Sequence, residues 1–168
     1  MKSVAAAVLG SVAFLIIAPG TLVLYGPWAI SRWQIQPPLF DGQSSRWLGI
    51  LLILIGLPLL LEAFGRFAIQ GHGTPAPVLP PEQLVVRGFY RYVRNPMYVA
   101  IVLLIVGQAL LFGDARLLVY ALLVWLTFHL FVLLYEEPTL RRRFGSQYEH
   151  YCAAVGRWIP RFKPWVGN

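Results

Sequence analysis

Charged side chains are scarce in this chain: they make up 12% of its 168 residues, against 58% for hydrophobic side chains. A soluble domain has about 25% charged residues, so this chain lacks the charge needed to build a surface that faces water. The scarcity excludes an ordinary soluble domain and favours lipid as the solvent for much of the chain. Cys152 is the only cysteine, which excludes an intrachain disulfide and a cysteine-based zinc site.

Acidic residues are also few, with 7 Asp and Glu against 14 Lys and Arg, and the net charge is +7. The basic residues flank apolar runs and form no stripe along a soluble helix, so we expect no nucleic-acid partner. Histidine is equally sparse. His72, His129 and His150 have no metal-ligand spacing among them, so no metal site is predicted. His129 lies within an apolar run, where we expect a packed, hydrogen-bonded side chain.

Long hydrophobic runs, by contrast, fill most of the sequence. Each run is near the ~20 residues that a helix needs to cross a ~30 Å hydrocarbon core. The runs cover about residues 4–30, 47–69, 96–112 and 116–135. They predict an all-α, integral membrane helical bundle with about four transmembrane helices in one domain, 1–168, formed by an N-terminal pair of spans, 1–70, and a second part, 71–168. The first run is too long for a cleaved signal peptide, and Pro19-Gly20 predicts a kink in it.

The connections between the runs indicate how the helices are joined. Only residues 113–115 separate the last two runs, which predicts a tight hairpin between antiparallel helices. Residues 70–95 are rich in Gly and Pro and predict an ordered loop. The polar and aromatic tail after residue 135 predicts one or two short helices at the membrane interface, with Ser146-x-x-Glu149 as a capping box.

Lysine and arginine are distributed unevenly between the two sides that four spans create. Eleven lie on the side of both termini and three on the other. By the positive-inside rule, this predicts a multi-pass protein of the cell (inner) membrane with both termini in the cytoplasm. Within the second run, Glu62 precedes Arg66 by four residues, and this order predicts a helical ion pair.

The stretch GFYRYVRNPMYVA, residues 88–100, places polar side chains where the third run begins. Asn95 is a favoured N-cap residue and Pro96 suits the first helical position, so a helix is predicted to start here. Its free backbone N–H groups would attract an anion such as a carboxylate or phosphate, beside Tyr98 in the first turn. The alternative is an ordinary start of a membrane helix, with arginines on lipid phosphates and tyrosines in the aromatic belt.

Glu136 and Glu137 stand at the end of the fourth run. The C-terminus of a helix disfavours carboxylates by ~0.3–1 kcal/mol each, and ionisable groups near a bilayer are usually functional. A bound cation, or a ribose that offers hydroxyl donors, would offset that cost. Two alternatives remain open: the acids pair with the arginines at 141–143, or Pro138 starts a tail helix and the acids supply its N-terminal charge.

Three segments, taken in order, resemble the isoprenylcysteine carboxyl methyltransferase family and its relatives, the phospholipid methyltransferases. They are GFYRYVRNPMYVA, a hydrophobic hairpin, and YEEPTLRRRFGSQYEHYCAAVGRWIPRF, and together they cover about residues 74–164. The pattern is G-x-Y-x-x-x-R-[HN]-P-x-Y, then E-E, then F-G-x-x-Y-x-x-Y, then Pro-Arg near the end. The order and spacing of these pieces are more specific than any one of them.

The resemblance implies an integral membrane enzyme that uses S-adenosylmethionine. Its cofactor pocket would be formed by the last two spans, the preceding loop and the tail, open to the cytosol. The resemblance assigns cofactor contacts to Glu82, Gln83, Leu84, Val85, Tyr90, Asn95, Pro96, Met97, Tyr98 and Glu136. By position, Arg94 and Glu137 are candidate catalytic residues that contact the methyl acceptor, together with Arg91.

Two departures from the family pattern bear on the acceptor. Most characterised eukaryotic members have His where Asn95 stands, and Asn retains the ability to cap and donate. The carboxyl methyltransferases also have a substrate-binding arginine where Val132 stands, and valine cannot steady a substrate carboxylate. We therefore expect a lipid-like or amphiphilic acceptor with a carboxylate or an amine, rather than prenylcysteine in particular. The alternatives are a sterol-reductase-like enzyme that binds a reduced nicotinamide cofactor, and a non-catalytic membrane subunit whose basic tail binds anionic lipid.

Overall fold

Helices account for all the regular structure in the part of the chain that the computed structural model describes, residues 17–40, 42–70 and 84–166. The elements are a π turn Thr21–Tyr25, α1 Gly26–Ser31, α2 Ser44–Gln70, a 3-10 turn Gly88–Arg91, α3 Pro96–Phe112, α4 Ala115–Phe131, a second π turn Val132–Glu136, α5 Glu137–Phe144 and α6 Ser146–Ala154. The all-α prediction is confirmed. The predicted first span is described only from residue 17, and the segment relevant to signal-peptide cleavage lies outside the described residues.

Two helical stretches are long and apolar enough to cross a membrane: Ser44–Arg66, with 23 residues, and Ala115–Phe144, with 30. The second stretch joins α4, the second π turn and α5 into one continuous helix, which therefore extends past the apolar run predicted to end at residue 135. The helix α3 is apolar but shorter, with 17 residues. The chain is thus a membrane helical bundle, as predicted, while the number of spans stays a prediction.

Glycine allows α2 and α3 to pack closely along their length. A Cβ added at Gly49 would lie 2.6 Å from the carbonyl oxygen of Gly107, and one added at Gly107 would lie 2.8 Å from Cγ1 of Ile53. Farther along α2, a Cβ added at Gly56 would lie 3.0 Å from Cγ of Leu104 and 3.3 Å from the carbonyl oxygen of Ala100. Small residues at such positions are what membrane helices use to bring their backbones together, and the backbones of α2 and α3 are in contact as a result.

A two-residue turn joins α3 to α4. Gly113 has a positive φ of 74° at the end of α3, and Asp114 caps α4 by accepting a 3.0 Å hydrogen bond from the backbone N–H of Arg116. The Arg116 guanidinium also donates to this carboxylate and holds the pKa of Asp114 below its ordinary value. The predicted hairpin is confirmed. Because the two helices run antiparallel, the start of α3 lies beside the end of α4.

The first π turn receives support from polar side chains of the later helices. The Gln108 side-chain amide donates a 2.8 Å hydrogen bond to the carbonyl oxygen of Val23, and the Tyr120 hydroxyl donates one of 3.2 Å to that of Leu22. A π turn releases carbonyls from the regular helical pattern, and such groups need partners inside a membrane protein. Gly20, predicted as part of a kink, has helical dihedral angles, and the irregularity begins at the next residue.

The C-terminal tail folds back onto the segment that precedes α3. Backbone N–H groups of the tail and that segment donate to each other's carbonyls at 2.9 Å: Arg94 to Gly156, Arg161 to Tyr92, and Trp165 to Arg91. One or two short helices were predicted for the tail, and it contains two, α5 and α6, the first of which continues α4. Their position at the membrane interface stays a prediction. The predicted capping box is wrong, because Ser146 is the first residue of α6 and no side chain caps that helix.

Candidate functional site

Tyr98 and Glu136, which belong to two different sequence motifs, are in direct contact. The Tyr98 hydroxyl, in the first turn of α3, donates a 3.0 Å hydrogen bond to Oε2 of Glu136. The Tyr98 ring stacks on Phe128 of α4, with ring centroids 4.5 Å apart. The π turn that ends at Glu136 changes the helical register there and allows this carboxylate to meet α3.

Asn95 occupies the N-cap position of α3, as predicted, and Pro96 is buried at the first helical position. The Asn95 side chain does not cap the helix, however. Its Nδ2 group donates a 3.1 Å hydrogen bond to the carbonyl oxygen of Arg157 in the tail. The side chain therefore joins two distant segments, which the local capping pattern did not indicate.

Glu137 is the first residue of α5 and is only 3% exposed. Its carboxylate accepts hydrogen bonds of 2.6 and 3.0 Å from the Arg157 guanidinium, and it pairs with Nη1 of Arg94 at 3.0 Å. Of the three arginines that follow in α5, Arg141 approaches it to 3.9 Å. The alternative in which the acids pair with the arginines at 141–143 thus accounts for a minor part of the cluster. The main partners are Arg157, farther along the tail, and Arg94, which precedes α3.

The acids do not stand at a helix C-terminus, contrary to the expectation from the apolar run. The helix continues through the π turn to Phe144, so the dipole cost assigned to them does not apply. Glu136 and Glu137 instead form the N-terminal boundary of α5, with Pro138 in its first turn. Pro138 thus marks the return from π to α geometry inside one continuous helix, and the alternative in which it starts a separate tail helix is not confirmed.

Arg94 connects the start of α3 to the tail. Besides its ion pair with Glu137, Nη1 of Arg94 donates a 2.8 Å hydrogen bond to Sγ of Cys152 in α6. The Nε atom of Arg94 is buried with no hydrogen-bond partner among the described residues. Arg157 shares the same carboxylate, and the hydrogen bond to Glu137 raises the pKa of its guanidinium further above the ordinary value. The predicted contact of Arg94 and Glu137 with an acceptor stays a prediction.

Tyr90 has a buried hydroxyl group that lacks a partner among the residues the structure describes. The residue is 7% exposed, and its oxygen finds no hydrogen bond within the described part of the chain. Burial raises the pKa of this phenol well above its ordinary value, and the carboxylates of Glu136 and Glu62 raise it further. The hydroxyl is therefore a neutral donor. Because buried polar groups nearly always have a partner, this one is available to a bound molecule.

The other predicted cofactor residues support Tyr90 by packing. Val85 is buried in a cluster with Ala63 and Tyr90, and Met97 packs against that cluster. Leu84 packs instead against a cluster centred on Tyr148, Tyr151 and Val155. The other two residues of the predicted loop segment, Glu82 and Gln83, lie outside the described residues.

Sequence reasoning missed Trp158, which lies against the site from the tail. Its indole N–H donates a 3.0 Å hydrogen bond to Nδ1 of His129, and its ring lies 6.5 Å from that of Tyr98. His129 also stacks on Trp125, so it is the packed hydrogen-bonding histidine that was predicted. Its place in the aromatic tail was the only sequence signal, and no local pattern linked it to a histidine 29 positions earlier.

The predicted pair of Glu62 and Arg66 is confirmed, with 2.7 Å between Oε1 and Nε. The other carboxylate oxygen of Glu62, Oε2, is buried and has no hydrogen-bond partner among the described residues. Gly88, with φ of 58°, comes so close to this carboxylate that an added Cβ would collide with it.

Comparisons with known proteins place this arrangement in context. A family model described as phospholipid methyltransferase matches residues 44–147. A probable protein-S-isoprenylcysteine O-methyltransferase of Oryza sativa subsp. indica is 33% identical over 131 residues, which cover 74% of this chain and 65% of that protein. Protein-S-isoprenylcysteine O-methyltransferase B of Arabidopsis thaliana is 33% identical over 132 residues, 72% of this chain and 64% of that protein. The chain thus spans just under two thirds of the length of these relatives.

Proposed function

This chain belongs to the phospholipid methyltransferase family, and we propose that it is an integral membrane methyltransferase. In this proposal it uses S-adenosylmethionine to methylate a lipid-like or amphiphilic acceptor through a carboxylate or an amine. The hydrogen bond between Tyr98 and Glu136 is the observation that carries the proposal, because it joins the two segments assigned to the cofactor. The curated relatives are named as O-methyltransferases, and these names support the same reaction class.

The groups gathered around this bond suit the chemistry of the cofactor. S-adenosylmethionine has a carboxylate, a sulfonium cation, a ribose diol and an adenine. The start of α3 suits an anion, and the buried hydroxyl of Tyr90 has no partner in the described part of the chain. Glu136 uses Oε2 for Tyr98, which leaves its other oxygen for a hydroxyl or a cation. We assign cofactor binding to 82–85, Tyr90, 95–98 and Glu136.

When bound, S-adenosylmethionine supplies a methyl group that the sulfonium has already made electrophilic, so the protein has mainly to orient and desolvate the reactants. Tyr98 fixes the orientation of the Glu136 carboxylate, and the stacked Phe128 ring keeps water away from that bond. Arg94 and Glu137 hold the start of α3 against the tail. Their pairing favours a positioning role, and a contact with the acceptor is an additional prediction.

The acceptor is proposed to be carried on an apolar tail and to enter from the bilayer. Val132, at the position of the family's substrate arginine, is 1% exposed and presents no charge. The proposal therefore leaves open which polar group of the acceptor receives the methyl group. We also propose the cell (inner) membrane as the location, with both termini in the cytoplasm.

Titration of the detergent-purified chain with two ligands tests the proposal. S-adenosylhomocysteine, the product of methyl transfer, is expected to bind, and the reduced nicotinamide cofactor is not. Transfer of a radiolabelled methyl group from S-adenosylmethionine to extracted membrane lipids would then identify the acceptor class. Tight binding of the nicotinamide cofactor without S-adenosylhomocysteine would favour a reductase. Binding of neither ligand would favour a non-catalytic subunit.

A further inference from the structure

A cavity of about 1090 Å³ lies between the C-terminal part of α2, the Gly88–Arg91 turn, α6 and the end of the tail. Tyr98, Glu136 and Glu137 are not among the residues that line it. Among the described residues, none of those assigned to the cofactor lines it, so the cavity needs an explanation of its own.

The lining of the cavity is basic. Three arginines, Arg66, Arg87 and Arg91, face a single carboxylate, that of Glu62. Arg66 and Glu62 form an ion pair with each other, so within the described residues the other two guanidinium groups have no carboxylate partner. Arg87 is exposed and has no ion-pair partner among the described residues. Arginine presents several N–H donors in a plane and is well suited to bind phosphate.

One wall of the cavity is held in place by the tail. Arg91 and Trp165 bond to each other twice: the Arg91 Nε–H donates to the Trp165 carbonyl oxygen at 2.6 Å, and the Trp165 N–H donates to the Arg91 carbonyl oxygen at 2.9 Å. The Trp165 ring also packs on Tyr151, with centroids 5.4 Å apart. The arginine is thus presented on an ordered surface, so that little side-chain entropy has to be lost when a ligand binds.

The cavity also contains apolar groups and one unused acceptor. Phe89 and Val166, which line it, are 40% and 75% exposed. Outside it, Ile159 and Phe162 of the same tail are exposed as well. Exposed apolar side chains beside basic ones are typical of a membrane interface. Oε2 of Glu62 has no donor among the described residues, and this carboxylate suits a headgroup that carries a hydroxyl group.

We propose that this cavity binds the phosphate of an anionic phospholipid headgroup, with Arg87 and Arg91 as the cationic groups. A headgroup hydroxyl, as in phosphatidylglycerol, would donate to Glu62. The site is specific to the cavity and does not depend on the general positive charge of the tail. The proposal does not rest on methyl transfer, because none of the described residues assigned to the cofactor lines the cavity. Arg91 is also a candidate contact of the methyl acceptor, so Arg87 is the residue to vary.

The test is lipid retention by the detergent-purified full chain, incubated with equal amounts of phosphatidylglycerol and phosphatidylcholine and analysed by native mass spectrometry. The wild type is expected to retain phosphatidylglycerol preferentially. Arg87→Gln should reduce that retention about fivefold, the effect of ~1 kcal/mol for a partly exposed ion pair. Arg143→Gln is the matched control, because it removes one exposed arginine of the tail that lies outside the cavity. It should retain as much lipid as the wild type.

Three results would overturn the proposal. Equal loss in the two variants would show that charge alone attracts the lipid, and the absence of a lipid preference in the wild type would show that there is no site. Displacement of the lipid by millimolar inorganic phosphate would assign the cavity to a free anion. The melting temperature in detergent, measured in parallel, verifies that Arg87→Gln is folded. This check does not depend on cofactor binding, so a failure of the methyltransferase proposal leaves the lipid result interpretable.

Discussion

The Tyr98 hydroxyl donates a 3.0 Å hydrogen bond to the Glu136 carboxylate across 38 positions of sequence. One residue lies in the first turn of α3 and the other at the last position of the second π turn. The antiparallel α3–α4 hairpin brings these ends together, and the π turn directs the carboxylate. The predictions that follow depend on this corner of the molecule and on the contacts that support it.

The first prediction concerns the pair itself. Tyr98→Phe and Glu136→Gln should each weaken S-adenosylhomocysteine binding by roughly 5- to 150-fold, because a buried polar group left unpaired costs ~1–3 kcal/mol. In the double variant the losses should not add, since each change removes the same interaction. Isothermal titration of the purified proteins gives the four affinities. Tyr120→Phe, whose hydroxyl bonds to a carbonyl of the first π turn, is the control. Wild-type affinity in both single variants would refute the assigned site.

The second prediction separates capping from tethering at Asn95. Serine is as good an N-cap as asparagine, so a capping role predicts that Asn95→Ser keeps its stability. The structure has the Asn95 amide donating to the Arg157 carbonyl oxygen, which a serine side chain is too short to reach. We therefore expect Asn95→Ser to lower the melting temperature in detergent as much as Asn95→Ala does, an effect of about 1 kcal/mol. A serine variant as stable as the wild type would restore the capping explanation.

The third prediction concerns the buried charge cluster. Glu137→Gln should destabilise the protein by ~3–5 kcal/mol, because it leaves the guanidinium groups of Arg94 and Arg157 without their shared anion. Glu149→Gln removes an exposed carboxylate that pairs with Arg141 at 2.9 Å, and should change stability by no more than ~1 kcal/mol. Thermal unfolding of the two variants, monitored by size-exclusion chromatography after heating, gives their melting temperatures. Similar melting temperatures for both variants would mean that the cluster does not hold the start of α3 against the tail.

The fourth prediction uses two glycines. Gly107→Ala places a Cβ 2.8 Å from Cγ1 of Ile53 and 2.9 Å from the carbonyl oxygen of Gly49, so it should separate α2 from α3 and cost ~1–3 kcal/mol. Gly65→Ala, in α2, meets nothing within 4 Å and should be neutral or stabilising by up to ~1 kcal/mol. Melting temperatures of the two variants provide the comparison. A neutral Gly107→Ala would mean that the two helices can move apart without cost.

The fifth prediction concerns alkaline pH. Tyr151 is buried and donates a 2.6 Å hydrogen bond to the Tyr90 carbonyl oxygen, and burial raises the pKa of its phenol above the ordinary value of 10.0. The unfolded chain therefore loses this proton first. The stability that comes from the neutral phenol is complete below about pH 10 and is lost as the pH rises toward the folded-state pKa. Tyr151→Phe should show a shallower fall in melting temperature between about pH 9 and 11. Melting temperatures that fall in parallel with pH for the variant and the wild type would contradict this prediction.

The sequence was informative wherever the signal was local. The all-α fold follows from the apolar runs, the hairpin from the short connection at 113–115, and the start of α3 from Asn95-Pro96. The contacts that build the site are not local. Asn95 bonds to a residue 62 positions later, and Trp158 bonds to a histidine 29 positions earlier. No sequence pattern specifies such pairs, because they form only when the tail folds back.

The second π turn escaped prediction for a different reason. Its sequence, VLLYE, contains neither proline nor glycine and continues the apolar pattern of α4. The carboxylates that follow were therefore interpreted as the end of a helix. Their partners, Tyr98 for Glu136 and Arg94 for Glu137, lie on another element, and only the packed structure relates them to the irregularity.

A π turn contains one more residue than the α-helical turn it replaces. Deleting one residue between 132 and 136 would convert this turn into an α-helical one and keep the following helix close to its present orientation, so Glu137 would still face Arg94. An inserted residue has no such outlet: it would rotate the following helix by about 100° and turn Glu137 away. Single-codon insertions in that short interval should therefore be far more damaging than single-codon deletions there.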